Sequence, residues 1–388
     1  VADWCDFNQV NFVEHPSNGV VRKLKTRDDW KKHRDKRVSA ELFPRPSKLP
    51  SPNDCQSDVV PTMDELGLDS RVLENRPEPG ESAALATLNS FLNERGRDYR
   101  KGMSSPITGE AMCSRISPYL SAGCLTIKQV FHHTVNRQRQ IKLDPRSAEN
   151  RGFTSSLTSF QSRLAWHCHF MQKLESEPAI EFHAFNRACE TLRDNGNDSA
   201  RLEAWQQGHT GYPFVDACMR ALKQRGWINF RMRAMLVSFA SYHLWLDWRL
   251  FRDWLACQFI DYEPGIHYSQ IQMQSGLTGI NTLRIYNPVK QGMDHDPAGT
   301  FIREWVPELK GIVGEAIHQP WLLPDQMQSK YQCRLGRDYP LPIVDHNEAV
   351  KFAREQFAML RQRNDYWACA HEVMQRHGSR KKLENRSR

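Results

Sequence analysis

The sequence predicts a mainly α-helical protein, because helical periodicity dominates it from Glu81 onward. Apolar residues recur there at the three- and four-residue spacing of an amphipathic helix, as in Ala83, Ala84, Leu85, Leu88, Phe91 and Leu92. A second apolar face follows Pro213, a residue that suits the first helical position, and holds Phe214, Val215, Cys218, Ala221 and Leu222. Alternating strand patterns are scarce after residue 80, and no internal repeat is evident.

The composition is that of a protein with a hydrophobic core. The chain has 388 residues, of which 39% are hydrophobic, which is enough for one large domain or two ordinary ones. The net charge of +8 favours a polyanionic partner, although charge alone does not identify one. No apolar run approaches the roughly 20 residues of a membrane helix, and no secretory signal is visible. We expect a cytoplasmic or nuclear monomer without a membrane partner.

The ten cysteines are scattered, and none lies in a Cys-x-x-Cys pair. This pattern argues against a zinc site and against a dense disulfide framework, so it predicts reduced and mostly buried thiols. No metal site is expected. No Gly-x-Gly-x-x-Gly follows a strand pattern, and a Rossmann-type dinucleotide site is therefore not supported.

Three segments flank the predicted helical domain, which we place at 78–360. Residues 1–40 combine a helical pattern at 2–5, a strand pattern at 10–14 and a basic amphipathic run that ends at Arg37. Residues 41–77 are rich in proline and predict an interdomain linker. Residues 361–388 predict a basic, mobile C-terminal tail. Because the first residue is Val1, we expect a fragment or a processed chain.

Three blocks that contain tryptophan carry the most specific signal. They read Trp-Gln-Gln-Gly-His-Thr-Gly-Tyr-Pro-Phe-Val-Asp-Ala at 205–217, Trp-Ile-Asn-Phe-Arg-Met-Arg at 227–233 and Leu-Asp-Trp at 246–248. Together they resemble the flavin-binding domain of the DNA photolyase/cryptochrome family. Further matching blocks extend the resemblance from Gly19 to about Arg354.

The resemblance implies a fold and a cofactor. The fold is an all-helical photolyase/cryptochrome FAD-binding domain, preceded at 1–40 by a short remnant of an N-terminal α/β antenna domain. The cofactor is FAD, and a second antenna chromophore is not expected in this chain. Some members of the family carry an iron–sulfur cluster on distant cysteines, and we do not expect one here.

The segment 113–120, Cys-Ser-Arg-Ile-Ser-Pro-Tyr-Leu, predicts the start of a helix, because two hydroxyls precede Pro118. Free amides and the positive helix end make such a turn a natural phosphate site, and an ordinary N-cap is the alternative. The family holds the FAD phosphates with a matching loop, so the resemblance implies that Ser114, Arg115 and Ser117 bind the cofactor. The family commonly has Thr at the position of Cys113, which removes one hydroxyl contact.

The resemblance assigns a second group of cofactor-binding residues. Arg231 and Arg233 point in different directions on a helix, and the second of them is expected to pair with Asp261 beside the flavin ring. A surface salt bridge is the alternative. Glu263 is implied near the ribityl chain or the ring edge. His267 takes the position nearest flavin N5, where it either donates a proton or merely binds a backbone carbonyl.

The family transfers electrons to the flavin along a chain of three tryptophans. Trp205 matches the outer position and Trp248 the middle position, whereas the innermost position is Ile271. This gap slows photoreduction by that route, and the candidate substitutes are Tyr268, Trp245 and Trp254. Core packing is the alternative for any single tryptophan.

The block 163–170 matches the helix that lines the family's lesion pocket. Trp166 is kept as the aromatic residue against the lesion, whereas Arg163 replaces a glutamate and His167 an arginine. Met273 replaces the second pocket tryptophan. Three residues near 290 match DNA-backbone contacts or are solvated surface: Arg284, Lys290 and Gln291.

These observations predict light-driven repair of pyrimidine dimers, with damaged single- or double-stranded DNA as the partner. The first alternative is a cryptochrome-like blue-light receptor that binds FAD without repair and signals to a protein partner. The altered pocket (Arg163, Met273 and Phe230) favours the receptor, whereas Trp166, Gln291 and the basic charge favour repair. A nucleic-acid binder that has lost photochemistry is the third alternative.

Overall fold

The computed structural model describes residues 1–15, 19–44, 46–49, 57–68, 73, 76–147 and 150–378. Within these ranges the chain forms eighteen α-helices and no β-strand. The helices are α1 Ala2–Phe7, α2 Trp30–Ser39, α3 Glu81–Asn93, α4 Tyr99–Gly102, α5 Pro106–Met112, α6 Ser117–Ser121, α7 Ile127–Leu143, α8 Phe153–Ser176, α9 Ser199–Gln207, α10 Pro213–Arg225, α11 Phe230–Ser238, α12 Trp248–Cys257, α13 Pro264–Gln274, α14 Pro288–His295, α15 Thr300–Trp305, α16 Asp325–Lys330, α17 His346–Arg361 and α18 Asn364–His377. A π-helix, Phe239–His243, continues α11.

The helices bury two main apolar cores. The larger core is centred on α10, which buries nine of its residues and packs against α9, α11, α14 and α15. The smaller core joins α2, α3, α7 and α8, and Leu88, Phe91 and Val130 are fully buried in it. Helix α7 begins with a capping box between Thr126 and Gln129, which satisfies free amides at the start of the helix. None of the helices in the described ranges is long and apolar enough to cross a membrane.

The block 205–217 fixes the junction between α9 and α10. Asp216 is fully buried, and its carboxylate accepts hydrogen bonds from the Thr210 amide at 2.8 Å, the Thr210 hydroxyl at 2.7 Å and the Gly211 amide at 3.1 Å. The Tyr339 hydroxyl donates a fourth bond at 2.5 Å. A buried carboxylate requires such donors, so this part of the tryptophan-bearing signature stabilises the fold.

Helix α13 packs closely on α8, and this contact places the candidate site. A Cβ atom on Gly265 would lie 2.8 Å from the Met171 Cα and 2.9 Å from the Phe170 carbonyl oxygen. Only a residue without a side chain fits there, because both neighbours are backbone atoms of α8. The start of α13 is therefore held directly against the C-terminal third of α8.

The predicted helices are confirmed, and two flanking predictions were wrong. Helix α3 buries the predicted apolar face, and Pro213 occupies the first turn of α10. Residues 10–14 form no strand: Val10, Phe12 and Val13 are exposed, and no described strand pairs with them. Residues 364–377 are not a mobile tail but form α18, whose Tyr366 contributes to the larger core. Residues 379–388 of the predicted tail lie outside the described residues.

The other segment boundaries stay predictions. The described residues of 41–77 contain no helix, whereas segment 19–39 packs on the helical domain. Trp30 belongs to the smaller core, and its indole N–H donates to the Gly19 carbonyl at 2.9 Å.

Candidate functional site

One arginine holds the backbone of loop 113–117 in place. The Arg95 guanidinium donates to the carbonyls of Ala111 at 2.9 Å, Cys113 at 2.7 Å and Ser114 at 3.2 Å. These bonds fix the backbone of the loop, which leads into the short helix α6 at Ser117. The predicted helix start is thereby confirmed.

Arg115 presents an unpaired donor at this loop. Its backbone takes a positive φ of 60°, which is rare for a residue with a side chain. The guanidinium carbon lies 3.8 Å from the ring centre of Trp227, and Nη1 is buried without a hydrogen-bond partner among the described residues. A cavity of about 370 Å³ adjoins Arg115, and Thr87 and Tyr119 help to line it. A buried unpaired guanidinium nitrogen suits an anionic ligand.

The predicted pair of Arg233 and Asp261 is present. The two guanidinium nitrogens donate to the two carboxylate oxygens at 3.0 and 2.9 Å, and the Asp261 side chain is 4% exposed. Arg233 Nε donates to the Ile228 carbonyl at 2.8 Å, and the guanidinium carbon lies 4.3 Å from the Phe259 ring centre. This bidentate pair is buried on the carboxylate side, so the surface salt bridge considered as the alternative is excluded. Its role beside a flavin stays a prediction.

Glu263 lies opposite His167 at the start of α13. One carboxylate oxygen is 3.6 Å from His167 Nε2, and both side chains are mostly buried, at 17% and 12% exposure. Neither ring nitrogen of His167 has a hydrogen-bond partner among the described residues. Burial lowers the pKa of His167, but Cys168 and Glu263 outweigh burial and raise this pKa to about 9. The imidazole therefore carries a positive charge at neutral pH.

His267 takes the second of the two roles that the sequence left open. Its Nε2 lies 2.8 Å from the Arg252 carbonyl oxygen, and the residue is 8% exposed. Burial is the main reason why the pKa of His267 falls to about 4, and the nearby Arg233 charge adds to the effect. A neutral imidazole that already uses Nε2 is a poor proton donor near pH 7, so a proton-donor role is not favoured.

Contacts between neighbouring elements link these groups into one candidate site, which we call the cleft. The Ser121 hydroxyl donates to the Tyr262 carbonyl at 2.6 Å and so ties α6 to the turn that carries Asp261 and Glu263. Arg115 interacts electrostatically with both Asp261 and Arg233. The cleft therefore combines loop 113–117, helix α11, the turn 261–263 and helix α8.

Arg231 does not join this cleft. It points away from Arg233 toward α14, where burial first and the Arg231 charge second lower the pKa of His295. The Arg231 Nε is buried without a partner among the described residues.

The predicted lesion-pocket residues lie beside the cleft on α8 and α13. Trp166 is 45% exposed, and the Arg163 guanidinium carbon lies 4.4 Å from its ring centre. Trp166 and His167 are successive residues of α8, and the indole is exposed whereas the imidazole is mostly buried. Met273 is half-buried on α13.

The three predicted DNA-contact residues near 290 differ in exposure. Arg284 is exposed and Lys290 is exposed and paired with Asp294 at 3.0 Å, so both are open to a polyanion. Gln291 is only 9% exposed, and its Oε1 is buried. Its part in a DNA-backbone contact stays a prediction.

The tryptophans of the predicted electron-transfer chain are core residues. Trp205 is fully buried, with ring centres of Phe251 at 5.3 Å and Trp254 at 5.8 Å. Trp248 is also buried, and two arginines lie near its ring, with Arg249 at 5.3 Å and Arg252 at 5.4 Å. Ile271, at the innermost position, is buried as well. Their part in electron transfer stays a prediction.

Two residues of the cleft escaped the sequence predictions. Trp227 was quoted as part of the signature, but the stacking of Arg115 on it was not foreseen. Arg95 lies outside every matching block, and no local pattern links it to carbonyls 16 to 19 residues away.

The similarity of this chain to known proteins is consistent with the geometry of the site. A family model described as the FAD binding domain of DNA photolyase matches residues 160–359. The chain is 34% identical over 281 residues to the deoxyribodipyrimidine photo-lyase of Alkalihalophilus pseudofirmus, which covers 72% of this chain and 55% of that protein. It is 33% identical over 285 residues to the cryptochrome DASH of Synechocystis sp., which covers 71% and 55%. The chain thus spans about half the length of these curated relatives.

Solved structures give the same assignment. A class III photolyase from Agrobacterium tumefaciens superposes with a TM-score of 0.65 at 30% identity, over 74% of this chain and 57% of that one. A Synechocystis cryptochrome superposes with a TM-score of 0.72 at 28% identity, over 84% and 67%. The protein has the helical fold of a flavin-binding domain. The chain belongs to the photolyase/cryptochrome family.

Proposed function

We propose that this chain binds FAD in the cleft and repairs pyrimidine dimers in DNA with blue light. The observation that carries the proposal is the exposed Trp166 on α8, the helix that also contributes His167 to the cleft. The exposed Trp166, with Arg163 stacked on it, directly precedes His167 of the cleft. An aromatic surface with a basic partner suits a flipped-out base, and the same helix contributes to a cleft that suits an anionic cofactor.

The residues of the cleft fit FAD. Arg115 offers the unpaired Nη1 and His167 offers two unpaired ring nitrogens. Loop 113–117, which Arg95 holds in place, would bind the pyrophosphate, and Arg233 and Asp261 would hold the flavin end by their fixed pair. Reduced FAD, when bound, supplies a light-driven one-electron donor.

The chain's own residues orient the substrate and the charges. Trp166 would stack against the flipped base, and Arg163 would hold the indole while facing the phosphate backbone. The bidentate contact with Asp261 prevents Arg233 from moving when the charge of the ligand changes, because both guanidinium ends are engaged. Exposed Arg284 and Lys290 would add backbone contacts.

A blue-light receptor is the second candidate, and specific observations favour it. Phe230 is exposed, Met273 replaces a pocket tryptophan, and Gln291 is only 9% exposed. These changes weaken lesion recognition while leaving the cleft intact. The receptor would bind FAD and signal to a protein partner without repair.

The test is repair of dimer-containing single- and double-stranded DNA by protein that is reconstituted with FAD and chemically reduced. Chemical reduction bypasses the gap at Ile271. Loss of dimers in light but not in darkness is the expected result. Full FAD binding with no repair in light would favour the receptor, and absence of FAD binding would contradict both candidates.

A further inference from the structure

The positive charge of the chain is concentrated in one short segment. Residues 22–37 contain nine Lys or Arg and three Asp, so this segment carries a net charge of +6, against +8 for the whole chain. Helix α2 lies in this segment, and its lysines Lys31, Lys32 and Lys36 are exposed. Such a concentration of one sign of charge on a single helix indicates a surface that contacts a polyanion.

A cavity of about 810 Å³ lies along α2, which packs on α7. Four cationic and two acidic side chains line it together with one aromatic ring: Lys31, Lys32, Arg34, Lys36, Asp28, Asp35 and Phe131. We call this cavity the α2 groove. It shares no residue with the cleft, and its volume falls within the range of about 300–1,000 Å³ that is typical of ligand sites.

The cations of the α2 groove are only partly neutralised. Asp35 accepts hydrogen bonds from Lys31 Nζ at 2.9 Å and from Arg34 Nη1 at 2.9 Å, so one carboxylate serves two cations. Lys32 and Lys36 form no ion pair within the part of the chain that the structure describes. Two ammonium groups one helical turn apart are therefore open to an anionic ligand.

Arg34 brings buried and unused donors to the α2 groove. Its side chain is 8% exposed, and both Nε and Nη2 are buried without a hydrogen-bond partner among the described residues. The neighbouring Cys168 of α8 offers only a thiol, which is a weak acceptor. Unpaired guanidinium nitrogens are costly in a protein interior, so an anionic group that enters the groove would be stabilised by them.

The α7 side of the groove is apolar and fixed. Phe131 is half-buried there. The chain that follows α2 is tied to the same helix, since His132 Nε2 lies 3.0 Å from the Ala40 carbonyl oxygen and Lys128 Nζ donates to the Glu41 carbonyl at 2.5 Å. An aromatic ring beside lysines is the combination that binds single-stranded nucleic acid, because bases stack on the ring while the cations bind phosphates.

We propose that the α2 groove binds the phosphate backbone of single-stranded DNA, at a second site that does not use Trp166. Lys32 and Lys36 bind phosphates, Arg34 donates to one of them, and a base stacks on Phe131. The inference goes beyond the proposed function, because such binding requires neither FAD nor light. An anionic membrane fits less well, since the ring is half-buried and the cations line a cavity, whereas membrane-surface helices present exposed apolar side chains.

The experiment measures binding of a labelled, undamaged oligothymidylate of about 12 nucleotides by fluorescence anisotropy, in the dark and at several salt concentrations. Lys32→Ala/Lys36→Ala should weaken binding about tenfold at low salt. It should also reduce the slope of log K against log salt by about 1.4, since each lost phosphate contact removes about 0.7 for a single strand. The matched control is Lys330→Ala/Lys351→Ala, which removes the same charge from exposed positions outside the groove and should leave the slope unchanged.

Two further variants test the kind of site. The lysine pair should have the same effect when it is replaced in Trp166→Ala, because independent sites contribute additively. Phe131→Leu keeps an apolar side chain but removes the ring. It should weaken oligothymidylate binding at least about fivefold and leave the binding of inorganic polyphosphate unchanged, since only the oligonucleotide has bases to stack.

Three results would overturn the inference. Equal losses in the groove variant and in the Lys330/Lys351 control would show that only net charge matters. Equal affinity for oligothymidylate and polyphosphate, unaffected by Phe131→Leu, would indicate a general polyanion surface. Binding to phosphatidylserine vesicles without binding to oligothymidylate would assign the groove to a membrane. A protein that binds the oligonucleotide through the groove but neither holds FAD nor repairs DNA would contradict the proposed function alone.

Discussion

Asp261 and Arg233 form the contact on which the cleft depends most. Both carboxylate oxygens are engaged, and the Asp261 side chain is 4% exposed. A buried ion pair stabilises little in net terms, but removal of one partner leaves an uncompensated charge. The pair is therefore best seen as a device that fixes charge and geometry, and single substitutions there should affect both folding and ligand binding.

Asp261→Asn should lower the free energy of unfolding by about 3 kcal/mol and reduce bound FAD at least about tenfold. The amide can accept one hydrogen bond from Arg233, but its NH₂ group faces the other guanidinium donor. Chemical denaturation and the flavin content after gel filtration measure the two effects. Asp365→Asn is the control, since its pair with Arg363 is exposed and screened by solvent and should contribute little. Flavin content equal to wild type would show that the pair does not support the cofactor.

Unlike the buried Asp261, Trp166 is 45% exposed and contributes little to the core. Trp166→Ala should leave the unfolding free energy within about 0.5 kcal/mol of wild type and should leave FAD binding intact. Repair should fall by at least about tenfold, since base stacking on an aromatic side chain contributes about 1–3 kcal/mol. Light-dependent repair at limiting DNA measures this. Trp367→Ala, at an exposed tryptophan of α18, is the control, and equal repair by Trp166→Ala and this control would exclude stacking at Trp166.

At the scale of elements, the packing of α13 on α8 positions both Glu263 and His267. Gly265→Ala should push the two helices apart, because the new Cβ would meet backbone atoms that cannot rotate away. We expect a loss of about 1–3 kcal/mol in unfolding free energy and weaker FAD binding. Gly314→Ala is the control that separates a steric clash from the general effect of replacing a glycine. Gly314 has a positive φ, but no atom lies within 4 Å of the added Cβ. A loss in Gly265→Ala no greater than in Gly314→Ala would refute the close-packing argument.

The elements also show what could be predicted from the sequence. Helices α3 and α10 were predictable because their apolar spacing and Pro213 act locally. Helix α18 was missed, although Tyr366, Ala370 and Val373 repeat at helical spacing, because its basic surroundings suggested a tail. The strand at 10–14 failed because alternation alone cannot supply a partner strand.

Within the cleft, the sequence could predict a contact only where the family signature contains both of its residues. Arg233 and Asp261 followed from the family signature, and the hydrogen bonds agree with it. The choice between two roles for His267 depended on the Arg252 carbonyl, which lies on another helix. Two further contacts are likewise non-local, so no spacing rule reveals them: the stacking of Arg115 on Trp227 and the hydrogen bonds from Arg95 to loop 113–117.

At the scale of the whole molecule, buried histidines determine how stability depends on pH. Burial is the first cause that lowers the pKa of His169 to about 2, of His243 to about 3 and of His267 to about 4. His167 is the opposite case, with a pKa raised to about 9. Among these four groups, three imidazoles fold neutral and one folds charged.

The unfolding free energy should be greatest near pH 6.5 as far as these four groups decide it. Below that pH the unfolded chain binds more protons than the folded one, so each buried neutral histidine costs about 1.4 kcal/mol per pH unit until its folded pKa is reached. Between pH 6.5 and about 9 the folded chain holds the extra proton on His167, so its contribution is full below 6.5 and is lost as pH rises through this window. Urea denaturation at pH 5, 6.5 and 8.5 measures the curve. His243→Phe, which keeps a ring stacked on Phe239, should flatten the acid side alone, whereas His167→Gln should flatten the alkaline side alone. If both variants lose stability equally at all three pH values, these imidazoles do not control the pH dependence.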